Sequence, residues 1–239
     1  MNKKESTVGH RLPMRKTVCR ECSVGSACIF SDLDEEEFPQ LTKSMRQIHY
    51  TVGETIFHQG GPLFGCYVLC RGKAVVYSRG STGKRVLFRV CRAGTLLEGS
   101  ILETHACSAG SLEASTVTLV PRADYMDLLL KKPRVSLRVI RSLSEDRERL
   151  AGRLTAFSCK RIMGRLAKTL LDLAKEYGIE VEEGLLLDIP FSQQALADMI
   201  GSSRQTTSQC LATLAKRHVV KIRKKKVLIT DVEKLKQLG

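Results

Sequence analysis

The sequence predicts an α+β fold in three parts: a jelly roll or small barrel of short strands, a long helix, and a C-terminal winged helix-turn-helix. Three observations carry that prediction. Residues 48–125 alternate short β-prone runs with glycines at Gly53, Gly60, Gly72, Gly83 and Gly94, the pattern of strands broken by tight turns. After Pro133 the apolar period becomes helical, with Ile140, Leu143, Arg147, Leu150, Leu154 and Phe157 at alternating steps of three and four. From Ser192 onward two helix caps stand at helix-turn-helix spacing. The corresponding boundaries are a cysteine-bearing segment at 1–30, the β domain at 31–132, the long helix at 133–159 and the winged domain at 160–239.

Length and charge agree with this division. A chain of 239 residues suits two modest domains. Thirty-nine Lys and Arg against 25 Asp and Glu leave +14, an excess that suits a polyanionic partner. Half of it lies between Pro190 and Gly239, where ten Lys and Arg face only Asp198, Asp231 and Glu233. No stretch reaches the ~18 apolar residues of a membrane span, and the first residues form no apolar signal core. A cytoplasmic protein with reduced thiols is expected, and an odd count of nine cysteines argues against a disulfide framework.

Taken in order, residues 1–18 are polar and basic, and "SDLDEEEF" could open a short helix capped by Ser31. "KAVVYSRGSTGKRVLFRV" reads as a hairpin, two β-rich runs around a glycine-bearing turn. The helix at 133–159 has one narrow apolar stripe in charged surroundings. It fits either packing on its own β domain or pairing with a second copy, and pairing is the reading we adopt. Ile140, Leu143, Arg147, Leu150, Leu154 and Phe157 then form the dimer seam, which Arg147 weakens. "RIMGRLAKTLLDLAKEYG" is a second helix ending at Gly178, and "VEEGLLLDIP" a short strand.

The C-terminal fifth is the most specific stretch. Ser192 caps one helix, Gly201 breaks it, and Ser202 or Ser203 caps the next. Ala197 is the small residue where the two helices cross, and Leu211 and Leu214 point inward. Arg204, Gln205, Ser208 and Gln209 share a polar face. Arginine reads guanine with a fork and glutamine reads adenine, so this face suits the major groove. "VVKIRKKKVLIT" reads as a two-stranded wing whose Lys224, Lys225 and Lys226 meet phosphate. Thr230 and Glu233 form a capping box for a last helix. Nothing here resembles a phosphate loop, a metal-ligand helix or a nucleophile elbow, and His49 and His58 are too few for a cupin-like metal site, so no enzyme is expected.

With these residues in view, the chain resembles the Crp/Fnr family of bacterial transcription regulators over nearly its whole length. "GETIFHQGGPLFGCYVLCRGKAVVYSRGSTGK" resembles the family's β-roll, a double-stranded β-helix serving as effector domain. "GRLAKTLLDLAKEYG" and "IGSSRQTTSQCLATL" resemble the helix that opens its DNA-binding domain and its recognition helix. The resemblance implies a homodimer on a near-palindromic duplex site, in contact with RNA polymerase. Arg204 and Ser208 match base-contacting positions; Ser192, Gln193, Ser203 and Thr206 match backbone-contacting ones. Gln205 and Gln209 stand where many members carry Glu and Arg, so the usual target sequence does not transfer. Cys107-Ser108 aligns with the Arg-Ser pair that clamps a cyclic-nucleotide phosphate. Without that arginine, burying the anion is costly, and cyclic-nucleotide sensing is not expected.

The cysteines raise the last expectation. "CRECSVGSAC" places Cys19, Cys22 and Cys28 as Cys-x2-Cys-x5-Cys, which resembles the N-terminal set of the oxygen-sensing Fnr branch and so implies a [4Fe-4S] cluster needing a fourth ligand. Thr118 aligns with the branch's usual fourth cysteine. Cys107, eleven residues earlier, is the substitute we name. A zinc site completed by His105 and Cys107, and thiols without a ligand, are the other readings of the same residues. The resulting expectation is a regulator whose dimerisation or DNA affinity answers to oxygen, nitric oxide or redox state. The alternative is a metal-free regulator that responds to a small organic effector or to thiol oxidation in the β-roll. Cys66, Cys70, Cys91, Cys159 and Cys210 are read as packing residues, with Cys66 and Cys70 on one strand face.

Overall fold

A computed structural model describes residues 24–33, 43–81, 83–159, 161–189, 192–223 and 226–239. Its first half contains β1 (Arg46–Tyr50), β2 (Thr55–Phe57), β3 (Gly65–Arg71), β4 (Lys73–Arg79), β5 (Arg85–Arg92), β6 (Leu96–Glu98), β7 (Ser108–Ser111) and β8 (Ser115–Pro121). They form two antiparallel sheets ordered β1-β8-β3-β6 and β2-β7-β4-β5, the two halves of a β-roll. The expected hairpin is β4–β5, paired from Lys73↔Arg92 to Arg79↔Arg85 with one bulge at Val76/Tyr77. Strands β3 and β4 are almost continuously buried, because each sheet is covered on both faces.

Three cores account for that burial. Between the sheets, Phe57, Tyr67, Leu69, Val76, Cys91, Ala109 and Val117 interdigitate. The outer face of the first sheet turns Cys66, Val68 and Val120 toward Ile29, Phe30 and Leu33 of the N-terminal segment. The outer face of the second turns Val75, Tyr77, Leu87 and Val90 toward the C-terminal domain.

Helix α1 (Arg122–Lys131) leads into α2 (Pro133–Cys159), a single helix of 27 residues. Then follow α3 (Ile162–Tyr177), β9 (Gly178–Val181), β10 (Gly184–Leu187), α4 (Gln193–Ile200), α5 (Arg204–Lys216), β11 (Val220–Arg223), β12 (Lys226–Ile229) and α6 (Val232–Leu238). The wing is not two strands alone. β10 pairs with both β12 and β9, giving one sheet ordered β11-β12-β10-β9, so "VEEGLLLDIP" contributes to a hairpin.

Two local expectations are corrected. Gly178 is not a left-handed helix cap; its backbone is extended and begins β9. Space requires a glycine there, since a Cβ would stand 2.3 Å from the Ala174 carbonyl oxygen and 2.8 Å from Leu185. The cap of α6 is Asp231, which accepts from the Lys234 amide at 2.9 Å, whereas Thr230 donates its hydroxyl to the His218 carbonyl. The helix expected after Ser31 falls on residues 34–42, outside the described residues.

Candidate nucleic-acid interface and cysteine site

The reading head is built from local rules. Ser192 Oγ accepts from the Ala195 amide at 3.0 Å, and Ser203 Oγ from the Thr206 amide at 3.0 Å. These capping bonds fix the starts of α4 and α5. Between the helices Gly201 takes φ +64° and ψ +37°, the left-handed conformation that lets the chain reverse in one residue. Leu211, Leu214 and Ala197 are buried, as is Thr207, whose hydroxyl bonds back to the Ser203 carbonyl. Arg204, Gln205 and Gln209 are exposed, and Ser208 and Thr206 are half-buried at the same surface. Ser192 and Gln193 lie at the start of α4. One solvent-facing edge therefore presents an arginine fork, two amides and several hydroxyls.

The wing differs in one respect. Lys224 and Lys225 lie outside the described residues, and Lys226 is held by Asp188. Below the tip, Glu183 takes Lys221 at 2.8 Å and Arg223 at 2.6 Å, and those two bonds hold its carboxyl below the usual carboxylate range. Part of the basic wing is thus neutralised by acids that come from the β9–β10 side. The lysine run in the sequence does not reveal them.

Along α2 the seam is uncovered in a single chain. Ile140 is 58 % exposed and Leu154 69 %, with Leu143 and Leu150 also open, and Arg147 is exposed. Phe157, the last seam residue, meets the reading head as well. Its ring lies 4.9 Å from the Arg165 guanidinium and so close to Gly201 that a Cβ there would stand 2.3 Å away. Arg165 in turn donates Nε–H to the Ile200 carbonyl at 3.0 Å. The end of the long helix is therefore in contact with the helix-turn-helix corner.

Of the cysteine segment, Cys19 and Cys22 lie outside the described residues. Cys28 is half-buried and packs against the core that contains Cys66. Burial, then the nearby Cys28 and Glu98, push the Cys66 thiol well above its ordinary range. Cys70 Sγ meets the Thr118 hydroxyl at 3.1 Å, and Thr118 pairs with Val68 across β8 and β3. Cys107 is elsewhere. It packs on the core between the two sheets, and the structure does not bring it to Cys28. His105 is also committed there, with its ring stacked on Phe57 at 4.2 Å and Nδ1 3.3 Å from Glu98. Cys28 and Cys107 belong to different cores, so the structure does not bring together the two described members of the expected ligand set. Among the described residues no group of three or more His, Cys, Asp or Glu is placed to hold a metal ion.

Sequence reasoning missed how this segment is fastened. Ile29, Phe30 and Leu33 are buried, and Arg138 of α2 forks onto Asp32, with Nε to Oδ2 at 2.5 Å and a second nitrogen to Oδ1 at 2.7 Å. Its third contact is to the Ser26 carbonyl at 3.0 Å. The Arg138 hydrogen bond lowers the Asp32 carboxyl from its ordinary value. At Gly94, φ +94°, the β5–β6 turn comes so close to Val24 and Ala27 that a side chain would not fit. The cysteine-bearing segment is tied to the helix that carries the seam.

A sensor-like roll, a seamed helix and an exposed winged helix-turn-helix define a DNA-binding transcription regulator. Comparison with known proteins gives the same class. A Cyclic nucleotide-binding domain model matches residues 47–132 and a Crp-like helix-turn-helix domain model residues 164–238. A CRP-like cAMP-activated global transcriptional regulator of Mycobacterium tuberculosis is 28% identical over 216 residues, covering 87% of this chain and 95% of that protein. An Anaerobic regulatory protein of Pasteurella multocida is 23% identical over 224 residues, covering 92% and 82%. In fold, a CooA mutant from Carboxydothermus hydrogenoformans superposes with TM-score 0.75 at 20% identity, over 88% of this chain and 94% of that one. The chain belongs to the Crp/Fnr family of transcription regulators. Regulators of this family are typically dimers. Among the described residues no helix is long and apolar enough to cross a membrane.

Proposed function

We propose that this regulator works as a cytoplasmic homodimer whose grip on a near-palindromic duplex, and whose contact with RNA polymerase there, are set by the occupancy of its N-terminal thiols. The observation that carries the reading is the Asp32–Arg138 clamp, which joins the cysteine segment to the dimer helix. Similarity to an anaerobic regulatory protein supports it. Of the described donors, Cys28 lies near the buried Cys66 of β3; a bound cation would supply the positive charge that Cys66 needs in order to ionise there. Cys19, Cys22, Cys28 and Cys66 are the residues that would hold a [4Fe-4S] cluster, and such a cluster, when bound, supplies a centre reactive toward oxygen and nitric oxide.

The remaining work falls to the chain. Ile29, Phe30 and Leu33 anchor the segment, and Arg138 transmits its position to α2. The seam from Ile140 to Leu154 pairs with a second copy, and Phe157 passes the geometry of that pair to the Gly201 corner. Whatever binds the segment's thiols shifts DNA affinity by its preference for one arrangement of this train. A cyclic nucleotide is disfavoured as the effector, because Cys107 offers no cation to its phosphate.

Iron and acid-labile sulfide, assayed on protein prepared without air, test the reading. The wild-type chain and Cys107→Ala should be coloured and iron-bearing, and Cys66→Ala should lose most of its iron. Colourless, metal-free wild-type protein that holds its operator equally well in air and without it would overturn the proposal.

A further inference from the structure

An open cavity of about 670 Å3 lies between the N-terminal segment, the β5–β6 turn, the first half of α2 and the end of α3. That volume accepts a small-molecule ligand. Its walls carry six arginines, Arg89, Arg92, Arg134, Arg138, Arg141 and Arg149, against three carboxylates, Asp32, Glu145 and Glu176. Half of these arginines are committed within the protein. Arg138 holds Asp32; Arg89 reaches Asp146 at 2.9 Å; Arg149 reaches Asp146 at 3.2 Å and Glu176 at 3.4 Å. Arg92, Arg134 and Arg141 make no ion pair among the described residues. They come from two different elements, β5 and α2, and line the same open space.

Guanidinium groups gathered on the walls of one cleft repel each other and raise the local concentration of anions. Their planar forks match phosphate and carboxylate oxygens two at a time. Beside the charges, Leu137 is the open apolar residue of the lining, whereas Val90, Leu96 and Tyr177 are buried beneath it. Glu98, Cys107 and Ser108 do not line this cavity, so it is separate from the interior of the roll.

We infer that this cavity binds a small polyanion bearing paired phosphate or carboxylate groups, held by Arg92, Arg134 and Arg141. Bridging β5 and α2, such a ligand fastens the roll to the dimer helix next to the Asp32–Arg138 clamp. The site needs no metal, and it shares the Ser26–Asp32 wall and Arg138 with the clamp of the cysteine segment.

Calorimetric titration of the full chain at about 0.15 M salt, where distant charges are screened, tests the inference. Tripolyphosphate is the phosphate probe and citrate the carboxylate probe, and the tighter of the two identifies the ligand's anionic group. Saturable binding of at least one is expected, weakened about tenfold by each of Arg134→Gln and Arg141→Gln through loss of a charge-assisted fork. The pair Arg134→Lys and Arg141→Lys keeps the charge and should fall between, which guards against a folding defect in the neutral variants. Arg204→Ala should bind both probes as the wild type does. The inference fails if neither probe binds saturably, or if the Gln variants bind unchanged while Arg204→Ala weakens binding, since the anion then sits on the DNA face.

Discussion

Arg204 occupies the first turn of α5 with its guanidinium exposed, and its role follows from that placement. Arg204→Ala should cost about 1–3 kcal/mol against the preferred operator and little against duplexes altered at the contacted base pair. Binding assays on a panel of operator variants read this as a flattened preference. At Asp32 the argument concerns pH. The Arg138 hydrogen bond depresses the carboxyl pKa, so its stabilisation is present above the ordinary carboxylate value and lost as pH falls through the lowered one. Hydrogen exchange of the Cys28–Leu33 amides should therefore quicken in Asp32→Asn at pH 7. In the wild type the protection of those amides, relative to their free exchange rate at the same pH, should be lost only in acid below the ordinary carboxylate range. The two residues also mark what local spacing reveals. Ser192 and Ser203 were legible as caps because a cap bonds three residues ahead. The Thr230–Asp231 choice turns on which oxygen faces the amide, a matter of one residue. Asp32 and Arg138 stand 106 positions apart, and no sequence period connects them.

Among the elements, α2 is where pattern and structure agree and where a substitution should strengthen the molecule. Arg147 interrupts an exposed apolar stripe, and two copies meeting along it would bring like charges together. Arg147→Leu should tighten self-association, with each buried leucine contributing about 1.5–3 kcal/mol. Sedimentation equilibrium decides it, and an unchanged dimer constant would place the seam elsewhere. The α4–α5 corner responds in the opposite sense. Gly201→Ala puts a Cβ into the left-handed region and against the Phe157 ring, so a loss of about 1–3 kcal/mol is expected in thermal melts. Helices and turns were legible because their signals repeat within a few residues. The joining of β10 to β12 was not, because register between distant strands depends on burial rather than spacing. Cys28 and Cys107 show the same limit: both lie outside the strands, where no alternation assigns a face, and only the packed roll shows which core each meets.

At the scale of the whole molecule, roll and reading head share one core. Val75, Tyr77, Leu87 and Val90 of the roll pack with Leu166, Leu170, Leu196 and Met199 of the C-terminal domain. Polar contacts reinforce the junction: Arg85 lies 3.9 Å over the Tyr77 ring and 3.7 Å from Asp198, and Tyr177 donates its hydroxyl to the Val90 carbonyl at 3.1 Å. A domain seated this firmly moves with the roll, so a change in the roll is felt at α5. Tyr177→Phe isolates one bond of that seat, since the ring stays packed and only the hydroxyl is lost. The Val90 carbonyl is then left without this donor, and about 0.5–1.5 kcal/mol of stability should go with it. For a chain of this size each kcal/mol corresponds to about 2–4 °C in Tm. Because the core is continuous, the melt should stay a single transition displaced to lower temperature. If Tyr177→Phe instead split the melt in two, with the roll unmoved, the domains would be separately stable. Signals would then have to pass through α2 alone.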